Sequence, residues 1–133
     1  MQSTVTKLSG AMVYTTVAST DLDRAEHFYR DILGLDTDRM GSAPENLMVH
    51  CGHETGLSVY ERPDPPHCDT TLATFVVGDL SSVMDDLRTN GVTFEEYDLP
   101  YLKTTNGIAE DSSSKAAWFR DPDGNILSVL QMK

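Results

Sequence analysis

The chain has little positive charge to set against its acids. Its 133 residues carry 10 Lys and Arg against 21 Asp and Glu, for a formal net charge of -11. Lysine occurs only at Lys7, Lys103, Lys115 and Lys133. Such a surface repels phosphate backbones and anionic headgroups, so neither a nucleic acid nor a membrane is expected as partner. No apolar run approaches the roughly 20 residues that span a bilayer, and residues 1–10 are too polar for a secretory leader core. Only two cysteines are present, Cys51 and Cys68. In a chain of this length they read as free thiols, which places the protein in a reducing cytoplasm. No Gly-rich phosphate loop follows the first strand and no His-Glu-x-x-His helix occurs. Nucleotide-cofactor and zinc-protease chemistries therefore lack their residues.

What is there is organised in two similar halves within one domain, 1–133. Residues 11–18 read as a strand, with Val13, Tyr14, Thr15, Thr16 and Val17 suited to a sheet. Asp21 is an N-cap for a helix to about Leu33, with Leu22, Ala25, Phe28 or Tyr29, Ile32 and Leu33 at helical spacing and Gly34 as the stop. Three strands follow, near 35–40, 46–51 and 56–61, and a Pro-rich linker covers 62–66. The order then repeats. Residues 71–77 form a strand, Asp79 caps a helix with Leu80, Val83, Met84 and Leu87 on one stripe, and strands are expected at 92–97, 115–119 and 125–132. Asp21-Leu22 matches Asp79-Leu80 at an offset of 58, and Leu57-Ser58-Val59 matches Leu127-Ser128-Val129 at 70. The reading is a βαβββ duplication, with modules at about 11–61 and 71–132. The twelve extra residues fall in 98–114, a binding loop or mobile cover; Tyr97 just before it and Tyr101 and Ile108 within it favour partial packing over a cleft.

Two signatures carry a family resemblance. One is Asp21-Leu22-Asp23-Arg24-Ala25-Glu26-His27-Phe28-Tyr29-Arg30-Asp31-Ile32-Leu33-Gly34-Leu35, the other Trp118-Phe119-Arg120-Asp121-Pro122-Asp123-Gly124-Asn125-Ile126-Leu127. The chain resembles the vicinal oxygen chelate superfamily: the glyoxalase, bleomycin-resistance and extradiol-dioxygenase group. The resemblance implies an α+β fold, with two βαβββ modules forming curved mixed sheets around a cleft and helices outside. It also implies where chelating members keep their metal ligands: at Tyr14 and Leu72, seven residues before each helix-opening Asp, and at Ser58 and Ser128 on the last strand of each module. None is His, Asp or Glu. Divalent metals need converging imidazole or carboxylate donors, so no metal and no other cofactor is expected.

Strand alternation gives the cleft a lining. Tyr14, Thr16, Ser58 and Tyr60 share one face, and Leu72, Thr74, Ser128, Ile126 and Leu130 another, with Leu57, Val59, Leu127 and Val129 turned to the helices. Trp118 aligns with Met48 at the offset of 70, which puts both in the cleft, and Trp118 could stack on a planar ligand. Together with Tyr97 and Tyr101 these residues form a largely apolar pocket edged with hydroxyls.

The expected function is binding of an amphiphilic or aromatic small molecule between modules or at a homodimer junction. One alternative is a glyoxalase-like lyase, isomerase or dioxygenase. It would use a displaced metal at His50, His53, Glu61 and His67, or a Tyr-centred acid–base site with Tyr14 and Glu61. Another is a structural or regulatory homodimer with a filled cleft. His67-Cys68 offers no third group to orient a nucleophile and base. Asp121-Pro122-Asp123-Gly124 reads as a hairpin connection.

Overall fold

Short strands of alternating burial and two aspartate-capped helices set the architecture. A computed structural model of the chain describes residues 7–42 and 45–133; residues 1–6, on which much of the leader expectation rests, lie outside the described residues. The elements run β1 (Thr15–Ser19), α1 (Leu22–Glu26, continuing as a π-helical His27–Ile32), β2 (Asp36–Met40), β3 (Asn46–His50), β4 (Gly56–Glu61), β5 (Thr71–Val76) and α2 (Leu80–Thr89). They continue as β6 (Asp98–Leu99), β7 (Leu102–Lys103), β8 (Ala109–Glu110), β9 (Ser114–Arg120) and β10 (Ile126–Met132).

The duplication is visible in the pairing. One sheet has the order β1-β4-β3-β2 and the other β5-β10-β9-β8. In each, the module's first strand runs parallel to its last and the other neighbours are antiparallel. This α+β arrangement of mixed sheets flanked by helices is the one that paired βαβββ modules form. No helix among the described residues is long and apolar enough to cross a membrane.

Both helices start as the sequence indicates. The Asp21 side chain accepts from the Arg24 N–H and the Asp79 side chain from the Ser82 N–H, each at 3.1 Å. The apolar stripes then bury Leu22, Ala25, Leu80, Met84 and Leu87 against Leu47, Val49, Leu57 and Val59 of one sheet and Ala117, Phe119, Leu127 and Val129 of the other. The stripe of the first helix admitted Phe28 or Tyr29; the structure buries both, at 7% and 0% exposure. The reason is the π-helical turn. Its wider i→i+5 spacing, seen in the Leu33 N–H donating to the Phe28 carbonyl at 2.9 Å, brings successive residues to one side.

Two expectations need correction. The first strand begins at Thr15, so residues 11–14 lie ahead of the sheet. Residues 92–97 are not a strand: only Phe94 bridges to Phe119, and the sheet edge is taken by Ala109–Glu110. The 98–114 segment, expected to pack in part, carries structure of its own. Its β6–β7 hairpin is anchored by Glu96, which accepts from the Thr104 hydroxyl at 2.6 Å and the Gly107 N–H at 2.8 Å. Those two donors hold the Glu96 carboxyl below its ordinary range. Asn106 and Gly107, both at positive φ, form the turn that pairs Thr105 with Ile108.

Candidate ligand-binding site

Alternation divides each sheet as the sequence predicts. Leu57, Val59, Leu127 and Val129 are at most 2% exposed on the helix side. On the opposite face of the first sheet, register aligns Thr16, Ser58, Met48 and Asp38 in one row, and Ala18, Tyr60, Asn46 and Met40 in the next. Tyr60 is 40% exposed. On the second sheet the matching row is Thr74, Ser128 and Trp118.

Tyr14 stands just ahead of β1, and its hydroxyl donates to the Glu54 carbonyl at 3.1 Å. Its ring lies over Gly56, where an added Cβ would stand 3.4 Å from Tyr14 Cε1 and collide with the Val49 carbonyl oxygen. Gly56→Ala is therefore expected to lower stability by about 1–3 kcal/mol and to displace Tyr14, which thermal denaturation and a Tyr14 ring NMR signal would register. Glu54 and its neighbour His53 both adopt positive φ, so the tyrosine is tethered to a turn in an unfavourable backbone conformation.

Leu72 departs from the expected lining. β5 carries a bulge: Ile126 is opposite Thr71, yet Leu127 is opposite Ala73. Leu72 is skipped and packs against the core instead. The bulge turns Thr71 toward Trp118, whose indole N–H donates to the Thr71 hydroxyl at 3.2 Å. Tyr97 meets Trp118 edge-on, with centroids 5.7 Å apart and planes at 85°. Trp118 is thus held at its N–H and against Tyr97. Burial pushes the Tyr97 hydroxyl above its ordinary value, with Glu95 adding to the effect.

Ser128 and Thr74 satisfy each other at 2.7 Å. Ser128 and Ile126 are each 4% exposed, so this part of β10 is buried on both faces. Tyr101 stands 84% exposed at the tip of the β6–β7 hairpin.

The candidate acid–base and metal groups do not come together. Tyr14 stands ahead of β1 over Gly56, at the start of β4, whereas Glu61 pairs with Ser19 at the other end of the same strands. Five residues of strand separate the two, about 16 Å. His50 Nε2 lies 2.8 Å from the Asp38 carboxylate, His53 sits in the tight turn after β3, and His67 is in the linker. Among the described residues no three His, Cys, Asp or Glu side chains converge as metal ligands. Nor do the family's ligand positions fit one: Leu72 has no donor atom, the Tyr14 hydroxyl and the Ser128–Thr74 pair are hydrogen-bonded within the protein, and Ser58 alone is a weak ligand. Cys51 and Cys68 are both free; burial raises the Cys51 thiol, and the Thr70 contacts lower that of Cys68.

The hairpin 121–124 does more than turn the chain. Asp121 does bind the local backbone, accepting from the Asp123 and Asn125 N–H groups at 2.9 and 3.0 Å. It also accepts from the Tyr29 hydroxyl at 2.7 Å and the Asn125 amide at 2.8 Å. Asn125 donates further to the Ala18 carbonyl at 2.9 Å, and Asp123 takes the Thr20 N–H at 3.0 Å and Arg24 at 2.6 Å. The two signature stretches thus clasp each other, tying module to module at the ends of β1 and β10. No local pattern signals a pairing across 92 residues.

The model of the Glyoxalase/Bleomycin resistance protein/Dioxygenase superfamily matches residues 11–129. Among solved structures, TnmS3, an antibiotic binding protein from Streptomyces sp. CB03234, is similar at 23% identity and a TM-score of 0.70, over 93% of this chain and 98% of that one. A glyoxalase/bleomycin resistance protein from the same Streptomyces is 23% identical with a TM-score of 0.63, over 88% and 98%. The oxidase ChaP-H2 is 23% identical with a TM-score of 0.66, over 93% and 94%. No curated protein matches the chain. With the family model covering most of its length, the chain belongs to the glyoxalase/bleomycin resistance protein/dioxygenase superfamily.

Proposed function

We propose that the protein binds a planar, aromatic or amphiphilic organic molecule on the sheet faces opposite the helices, and holds it rather than transforms it. The observation that carries this reading is the setting of Trp118. Its N–H is already bonded to Thr71 and Tyr97 braces it edge-on, so it has no free polar group and recognition falls to its ring face. On the corresponding face of the first sheet Thr16, Met48, Ser58 and Tyr60 supply apolar surface and hydroxyls, with Tyr14 ahead of β1, Thr74 and the buried Ser128 in the row of Trp118, and Tyr101 at the hairpin tip. Residues at the metal positions are poor ligands, and a similar fold serves antibiotic binding in TnmS3; both support binding over catalysis.

The assembly we propose is a homodimer in the cytoplasm. Met40 and Tyr60 on the first sheet and Val76 and Met132 on the second are 54%, 40%, 68% and 61% exposed, apolar side chains that a second copy would cover. Sedimentation at micromolar concentration should then give twice the 14.7 kDa chain mass, and a monomer would remove this part of the reading. The burial of Ile126 and Ser128 favours one competitor, a dimer whose cleft is filled. Thermal-shift screening in the presence of a chelator separates the two. Stabilisation that grows with the concentration of a hydroxylated polycyclic aromatic, and is absent with aliphatic acids, supports binding. A melting temperature unmoved by any compound supports the filled cleft.

A further inference from the structure

On the helical side, away from Trp118 and Tyr14, packing leaves a gap. The π-helical turn delivers Leu33, and Gly34 at φ 80° redirects the chain so that the Leu35 N–H donates to the Tyr29 carbonyl at 3.0 Å. Leu33 and Leu35 then face Val83 and Leu87 of α2 above Phe75 and Phe119, around about 120 Å³ of space with an almost wholly apolar wall. Leu33, Val83 and Leu87 continue into a mouth edged by Asp86, Thr89 and Asn90. The Asn90 amide donates to the Ile32 carbonyl at 3.0 Å, which fixes the rim across the two modules. Asp85 pairs with Arg88, whereas Asp86 is exposed and has no ion-pair partner among the described residues.

We propose that this pit is a second small-molecule site, which takes the compact apolar group of an amphiphilic amine. A dry apolar cavity on the order of 150 Å³ accepts benzene or xenon, so the space suits one aromatic ring or a branched alkyl group. The Asp86 carboxylate at the mouth selects a cationic end over an anionic one. A π-helical turn is an uncommon feature that recurs at functional sites, and here it ends directly at Leu33, the first residue of the pit wall. The site is separate from the sheet-face cleft and stands whether or not that cleft binds a ligand.

Benzylamine is the probe, with methyl resonances of the intact chain as the readout. Saturable shifts of the Leu33, Val83 and Leu87 methyls are expected, with benzoate, of the same shape and opposite charge, giving none. Asp86→Asn should weaken benzylamine by about two- to fivefold, the range of an exposed ion pair. Val83→Phe should fill the pit and abolish the shifts while leaving the Trp118 fluorescence spectrum unchanged. Unmoved methyls, shifts that survive in a folded Val83→Phe chain, or equal binding of benzoate would each overturn the proposal. Should Val83→Phe not fold, the benzylamine–benzoate contrast and Asp86→Asn decide it.

Discussion

Asp121→Ala is expected to remove about 3–5 kcal/mol of stability, a large share of what a domain of this size has. The carboxylate is 6% exposed and accepts four hydrogen bonds, from Tyr29, the Asn125 amide, and the Asp123 and Asn125 backbone. Truncation strands four donors, each costing about 1–3 kcal/mol if left dry, and relaxation recovers part of that. The clasp between the two signature stretches opens with them. Chemical denaturation of the variant would show the loss, and a midpoint close to the parent's would mean that the clasp contributes little.

The isosteric Asp121→Asn variant adds a pH signature. Burial, the largest influence, pushes the Asp121 carboxyl above its ordinary value even though its hydrogen bonds pull it down. Its protonated form is therefore favoured more by the folded chain than by the unfolded one. That contribution is complete below the ordinary carboxylate value near pH ~4 and is lost as pH rises through the raised folded value. The stability of the parent relative to Asp121→Asn should accordingly grow as pH falls through this window. The same burial, with the Asp121 charge next, holds the Tyr29 hydroxyl well above its usual range, so it remains the donor across the window.

Trp118→Ala is expected to cost about 2–3 kcal/mol of ligand binding, roughly 30- to 150-fold in Kd, through lost stacking area. Trp118→Phe keeps a ring face and should retain most of the affinity, since the indole N–H serves Thr71 rather than a ligand. Isothermal titration of both variants with a ligand found by screening checks this pair. Equal losses in the two would point to the N–H instead of the face.

Much of the frame was legible because its determinants are local. Aspartate caps at Asp21 and Asp79, alternation along 57–59 and 127–129, and the repeated order of elements each act within a few residues, and all reappear in the fold. What escaped depends on contacts distant in sequence or on breaks in periodicity. The bulge at Leu72 shifts register by one residue and moves an expected lining side chain into the core. The π-helical turn breaks the 3.6 period, so Phe28 and Tyr29 looked like alternatives. Residues 92–97 have strand composition, yet 109–110 take the edge, closed by an Asn106-Gly107 turn that was a readable signal. The candidate site follows the same division. The face carrying Thr16, Ser58 and Tyr60 came from alternation, whereas the Thr71–Trp118–Tyr97 arrangement required the bulge and the long excursion after α2.

The most direct test of ligand holding without a metal uses the fact that Trp118 is the sole tryptophan. Its fluorescence is titrated with a hydroxylated polycyclic aromatic in protein stripped by a chelator, then again after adding a divalent metal. The account predicts saturable quenching with the same Kd in both. Quenching that appears only with metal present, or no saturable change in either, would contradict it.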